Sequence, residues 1–363
     1  MSTSIFPQSQ PATEESRNVM PRLLSLSTAV PSERWTQEET LARFAEHFSQ
    51  YREPIAERIF RNSGIDHRNF SIKQEDFDPT VDSDELHAIY SEESLKLGSR
   101  AARQCLEQGD FSATDVDYLV VATCTGYLCP GLTARIAREL GLRDDIQRAD
   151  LVGMGCSGAM PSLQRANDFV RAYPDKRALV ITVEISSACW YVDDTMETIV
   201  GNAICADGAA AALIGTGDSG NYPAIAQFAG LMDTGYIESV GFEFKAGKNR
   251  IILAKELRDA SGPLVKTAVE RLLDQTGVAW NAIDHWIIHS GGKRVLDSID
   301  QSLGFKNNEL ANSRTVLREC GNMSSPTLFF VLERALRDAR PGDLGVLVAL
   351  GPGLSAETAL IHW

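Results

Sequence analysis

The chain has 363 residues, 44% hydrophobic and 23% charged, enough to bury a large core in two or three domain-sized units. A net charge of -14 argues against a general nucleic-acid binder and a polybasic membrane anchor, yet leaves room for a local basic patch facing a phosphate-bearing substrate. Residues 1–19 are polar, with no basic segment followed by an apolar one, and read as a disordered leader and not a signal peptide. No apolar run is long enough to span a bilayer. The cysteines (Cys105, Cys124, Cys129, Cys156, Cys189, Cys205, Cys320) are scattered, without a C-x-x-C pair. That pattern points to free thiols, no metal site and a cytoplasmic protein.

In chain order, Arg22 to Val30 predicts a short strand. Thr36 to Gly64 follows a helical period through Leu41, Phe44, Phe48, Ile55, Ile59 and Phe60, opened by a capping box in which Thr36 precedes Glu39. Ala88 to Leu106 predicts a second helix, and Tyr118 to Gly126 an apolar strand ending in small polar residues. Such alternation means α/β with buried strands. The chain also repeats itself. Residues 115–126 resemble 281–292. A helix running from Cys156 to Tyr173, followed by a strand at 177–183, matches a helix running from Gly321 to Arg340 and a strand at 343–349. Residues 207–215 echo 356–362. Three pairs in the same order imply a duplication, with halves at 20–216 and 217–363.

Related by a pseudo-two-fold axis, such halves bring matching strand ends and helix starts together. Cys156 opens a helix of the first half, Asn322 the equivalent helix of the second, and His289 ends a second-half strand. A thiol at a helix start is favoured as thiolate. It can attack a thioester, and histidine and asparagine can donate to an oxyanion. The bland readings are a packed cysteine, a satisfied core histidine and an N-cap asparagine. The order Cys, His, Asn also occurs in papain-like hydrolases, but their signature around the nucleophile is absent.

GMGCSGA at 153–159, IIHSGG at 287–292 and GNMSSPT at 321–327 resemble the cysteine, histidine and asparagine motifs of the chalcone synthase-like type III polyketide synthases. EISSA at 184–188, ADGAAA at 206–211 and LGPGLSAE at 350–357 resemble further family motifs, so the likeness runs from about residue 20 to the end. The resemblance implies a thiolase-like duplicated αβαβα layered fold, a homodimer, and no metal, nicotinamide or bound cofactor. A starter acyl-CoA would load onto Cys156, and His289, held charged by pairing with the thiolate, would stabilise the malonyl-derived enolate with Asn322. Gly351, Pro352 and Gly353 resemble the family's GPG loop and favour it over a ketoacyl-ACP synthase III-like enzyme. A non-catalytic acyl-binding protein is the third reading.

The resemblance also marks departures. Cys205 stands where the family has a gatekeeper phenylalanine, and Ile251 falls near the second one, so aromatic area is lost unless Trp190 or Phe242 refills it. Cys189 replaces a cavity-narrowing threonine. Small residues there are seen in bacterial members that take fatty acyl starters, which implies a medium- or long-chain starter and an alkylpyrone or alkylresorcinol product. Cys124, Thr125, Ser186 and Ser324 are further expected cavity residues, and Cys129 stands at the tip of a loop expected to reach the partner subunit. For coenzyme A, Arg58 falls on a basic position of the family's binding segment, with Arg61 beside it, while Ile55 and Asn62 replace other basic positions. Gly291, Gly292, Lys293 and Arg294 follow His289 and are expected at the same mouth, facing CoA or an acyl carrier protein.

Overall fold

The computed structural model describes residues 20–193, 195–217 and 222–363. The leader expected over residues 1–19 lies outside them, as does the segment 218–221 beside the expected boundary between the halves. The first half runs β1 (Arg22–Ala29), β2 (Glu33–Thr36), α1 (Gln37–His47), α2 (Pro54–Arg61), β3 (His67–Phe70), α3 (Ser83–Gln108), β4 (Tyr118–Thr123), α4 (Leu132–Leu140), β5 (Gln147–Val152), α5 (Ala159–Ala172), β6 (Ala178–Glu184), α6 (Met196–Ile204) and β7 (Gly208–Gly215). The second runs β8 (Ala224–Met232), β9 (Val240–Lys245), β10 (Lys248–Leu253), α7 (Leu257–Thr276), β11 (His285–Ile288), α8 (Lys293–Leu303), α9 (Ala311–Cys320), α10 (Thr327–Asp338), β12 (Leu344–Gly351) and β13 (Ser355–His362).

Nine strands form one sheet in the order β11-β12-β13-β8-β1-β7-β6-β4-β5. Read outward from its centre, β1-β7-β6-β4 and β8-β13-β12-β11 share the same sequence of directions: two antiparallel steps, then a parallel one. Strand β5 has no counterpart among the described residues of the second half. The two arms touch through a single pair, Arg22 with Ala224.

Burial shows how the arms stack. Along β6 and β7, Val180, Ala210 and Ala212 face a core that also holds Met160 and Leu163 of α5 and Phe329 of α10. Their alternate neighbours, Leu179, Ile181 and Leu213, face α3 instead. Strands β12 and β13 do the same: Leu347 and Ala359 point to the shared core, Val348 and Leu360 to the core under α7. Period-two alternation with both faces apolar is what a strand buried between helical layers requires. The result is α3, half-sheet, α5 with α10, half-sheet, α7: the expected αβαβα layering.

Element boundaries differ from expectation for local reasons. The helical stretch from Thr36 breaks into α1, a 3-10 turn at Ser49–Arg52 and α2, because Pro54 can only sit in a first turn. Its capping box is present, Glu39 N–H donating to Thr36 Oγ1 at 3.1 Å. Helix α3 starts earlier than expected, at Ser83, because Asp82 Oδ1 accepts from Asp84 N and Glu85 N at 3.0 Å. Cys156 lies in a 3-10 turn, Gly155–Ser157, ahead of α5. Asn322 precedes α10 by five residues and is not its N-cap, a position Pro326 holds.

Phe329 is fully buried where α10 meets both half-sheets. Phe329→Ala is expected to lower stability by about 3–5 kcal/mol. A denaturant titration should show the midpoint falling at unchanged slope.

Candidate active site

The nucleophile turn is shaped by what packs on it. Gly155 has φ +51, in the left-handed region, and a Cβ there would come 2.6 Å from Pro352 Cδ. Only glycine fits both demands. The small neighbours of Cys156 therefore let the loop at Gly351–Gly353 lie directly against it. Ser157 Oγ donates to Met154 O at 2.8 Å, tightening the turn.

His289 extends β11 by one residue, its N–H donating to Val348 O of β12 at 2.8 Å. The ring is buried, and neither nitrogen has a partner. An unpartnered buried imidazole facing a cavity is costly unless a ligand completes it. Asn322 is held by its backbone: its N–H donates to Ile204 O at 2.8 Å and its carbonyl accepts from Ala206 N at 2.9 Å. Its side-chain Oδ1 accepts from Ser324 N at 2.8 Å, which decides the amide's orientation. Nδ2 donates one hydrogen to Gly291 O at 3.1 Å and turns the other toward the Cys156 thiol.

Cys156, His289 and Asn322 line one cavity of ≈ 130 Å³. Cys124, Thr125, Ser186, Cys205, Ile251, Ser324, Gly291, Gly351 and Pro352 line it too. Ser324 has φ +58, uncommon for a residue with a side chain, and its hydroxyl meets the Cys124 thiol at 3.3 Å. Gly353 does not line the cavity. Cys189 borders a smaller chamber of ≈ 30 Å³ that shares Thr125, Ser186, Cys205 and Ile251 with the main one, and its thiol donates to Thr125 O at 2.7 Å. The expected loss of aromatic area at Ile251 is corrected: Phe242 sits directly across in the β9–β10 register and lines the cavity. Trp190 packs edge-on to Phe77 at 4.6 Å and lines the side chamber. Cys129 is exposed, away from its own cavity.

The coenzyme residues lie outside the cavity except Gly291. Arg58 and Arg61 are exposed on the last turn of α2, Arg61 paired with Glu57. The turn after α2 meets the start of α8: a Cβ on Gly64 would lie 3.4 Å from Lys293 Cβ. Lys293 pairs with Asp297 at 2.8 Å, and Arg294 is exposed beside it. Gly292 precedes Lys293 as the helix's first flanking residue.

Three buried charged residues were not expected from sequence. Glu184 accepts from Cys124 N at 2.9 Å, Thr125 N at 3.1 Å and Ser325 Oγ at 2.6 Å, joining the β4 loop to the segment before α10. Asp207 accepts from Ser187 N at 2.8 Å and Ser71 N at 2.7 Å, and burial pushes its carboxyl up to about 6. Arg68 donates to Asn202 O at 2.8 Å and Cys205 O at 2.6 Å. The available signal was a charge closing an apolar strand, as Glu184 closes β6.

The family model for the FAE1/type III polyketide synthase-like proteins matches residues 28–275, and that for the chalcone and stilbene synthase C-terminal domain matches 228–363. The 3,5-dihydroxyphenylacetyl-CoA synthase of Streptomyces toyocaensis is 33% identical over 94% of this chain and 90% of its own length. An alpha-pyrone synthesis polyketide synthase-like protein of Mycobacterium tuberculosis is 31% identical over 92% of this chain and 89% of its own. The crystal structure of the 1,3,6,8-tetrahydroxynaphthalene synthase of Streptomyces coelicolor superposes with a TM-score of 0.87 at 27% identity, covering 94% of this chain and 99% of that one.

The electrostatics bear on the expected ion pair. Burial pushes the Cys156 thiol above its usual range, against hydrogen bonds from Ser324 and Asn322 that lower it. Burial alone lowers His289 to about 4. Burial thus works against the charged form of both groups, and so against the ion pair that the resemblance implies. A charged pair has to offset the desolvation of two ions, and the 3-10 turn takes Cys156 out of the first turn of α5. Iodoacetamide labelling of the Cys156 peptide, followed by mass spectrometry, should accelerate about tenfold per pH unit from pH 6 to 9. A rate already level below pH 7 would show a thiolate held by imidazolium.

Proposed function

The chain belongs to the type III polyketide synthases, malonyl-CoA-dependent condensing enzymes of the acyltransferase class, and from that premise we propose that it extends a medium- or long-chain fatty acyl-CoA on Cys156 to an alkylpyrone or alkylresorcinol. The observation that carries the starter is the cavity wall. Ile204, Val240, Phe242, Ile251, Leu253, Leu257, Val295 and Leu350 line it, and no Lys, Arg, Asp or Glu does. Such a wall binds an alkyl chain by area and offers nothing to a charged starter.

The chemistry follows from the donors. Cys156 sulfur attacks the starter thioester, passing its proton to a free His289 nitrogen, which hands it to the departing CoA sulfur so that CoA leaves as a thiol. Malonyl-CoA then enters and loses CO2. The charge that develops on its thioester oxygen is met by the His289 N–H and by the Asn322 hydrogen that does not bond Gly291 O. The enolate carbon attacks the acyl-Cys156 thioester, and the sulfur leaves with the extended chain carried on CoA. CoA thioesters are the only co-substrates this scheme requires. The exposed basic groups Arg58, Lys293 and Arg294 receive the CoA phosphates or an acyl carrier protein. A homodimer, with the Cys129 loop reaching the partner, and a division at residues 216 and 217 complete the reading.

A second reading is favoured by the Streptomyces toyocaensis relative: a starter other than a fatty acid, with an aromatic product still carried as a CoA thioester. Both are tested by incubating purified protein with malonyl-CoA and acetyl-, hexanoyl-, palmitoyl- or p-coumaroyl-CoA. The expected outcome is alkylated pyrones or resorcinols by mass spectrometry, absent with Cys156→Ala. Aromatic CoA thioesters formed without a fatty starter would support the second reading instead.

A further inference from the structure

One wall of the cavity is the β9–β10 hairpin. Its register pairs Phe242 with Ile251 and Val240 with Leu253, and all four line the cavity. The hairpin is a two-stranded sheet of its own, joined to no strand of the large sheet. A lone hairpin has little stability, so side-chain contacts must place it. Two of the contacts that do so lie on α6 and the segment leading into it. Ile251 lies so close to Gly201 that a Cβ there would come 2.6 Å from Ile251 Cγ2. The other contact is ionic. Arg250, with its side chain 10% exposed, donates from Nε to Asp193 Oδ2 at 2.8 Å, and from Nη2 to Thr195 Oγ1 at 3.0 Å and Glu197 Oε2 at 3.1 Å. Nη1 reaches Glu243 Oε1 of the facing strand at 3.4 Å.

Thr195 caps α6, so the guanidinium ties the hairpin to the start of that helix and crosses to its own partner strand. Three carboxylates converge on one cation. Without it three like charges are left facing one another, Glu197 and Glu243 partly in solvent. Arg250 itself does not line the cavity.

We propose that Arg250 is a positioning residue for starter selection, holding the hairpin wall against α6 and thereby setting the chain length that the cavity accepts. This rests on the cavity being the starter chamber. Releasing the clamp lets Phe242 and Ile251 move outward, which enlarges the chamber without touching Cys156, His289 or Asn322.

The test uses the full chain as wild type, Arg250→Met, Arg250→Lys and Glu243→Gln. Hexanoyl- and tetradecanoyl-CoA compete for extension, and malonyl-CoA decarboxylation is measured alongside. In Arg250→Met the ratio of kcat/KM should move about tenfold toward the longer chain, with decarboxylation within about twofold of wild type. Arg250→Lys should recover part of the shift. An unchanged ratio in a folded Arg250→Met protein overturns the inference. So does an equal fall in decarboxylation and in both starters, the signature of a merely structural role. Should Arg250→Met fail to fold, Glu243→Gln decides: a smaller shift toward the longer chain supports the clamp, and none overturns it. A wild type that extends neither starter overturns the chamber reading and the clamp with it, a result distinct from a wild type whose selectivity the variants leave unchanged.

Discussion

Two backbone hydrogen bonds hold the candidate site together: Asn322 N to Ile204 O at 2.8 Å and Ala206 N to Asn322 O at 2.9 Å. They form a parallel bridge between Cys205 of the first half and Asn322 of the second. Everything in the cavity is measured from that bridge. On one side it hands Asn322 to Gly291 and Ser324. On the other, buried Arg68 grips the Cys205 carbonyl. A polar bridge inside a dry core persists because breaking it would strand several groups without partners.

The layers beneath explain why a bridge is possible there. Helices α5 and α10 share one core between the half-sheets. The nucleophile turn precedes one helix and Asn322 precedes the other. Glu184 adds a second tie across the halves, accepting from Thr125 N and Ser325 Oγ. Burial pushes its carboxyl up, and these hydrogen bonds oppose the push. The polar groups thus sit where the halves meet, and the apolar walls come from elements hung on the outside, above all the β9–β10 hairpin.

This division bears on chemistry. Burial opposes charge on both the thiol and the imidazole, and each has what the other needs: a proton and an acceptor nitrogen. Reactivity then awaits a substrate that fills the cavity and supplies the oxyanion that His289 and Asn322 are placed to meet. The apolar wall residues are distinct from Cys156, His289 and Asn322, which allows one set to vary while the other is kept.

The sequence by itself marked several strands of the large sheet, the repeated pattern of its two arms, and Cys156, His289 and Asn322 as residues that meet. Apolar runs and periodicity are local physics, and repeated patterns place matching residues at matching ends. The start of α10 was not legible: Asn322 read as a helix opener because nothing local shows that its carbonyl and N–H are claimed by residues 204 and 206. The burial that opposes charge on Cys156 and His289 was not legible for a like reason, since desolvation depends on everything packed around a group. Phe242 facing Ile251, Arg250 meeting three acids and Glu184 joining the halves belong to tertiary structure alone. Each depends on segments distant in sequence that only the folded layers bring within a few ångströms.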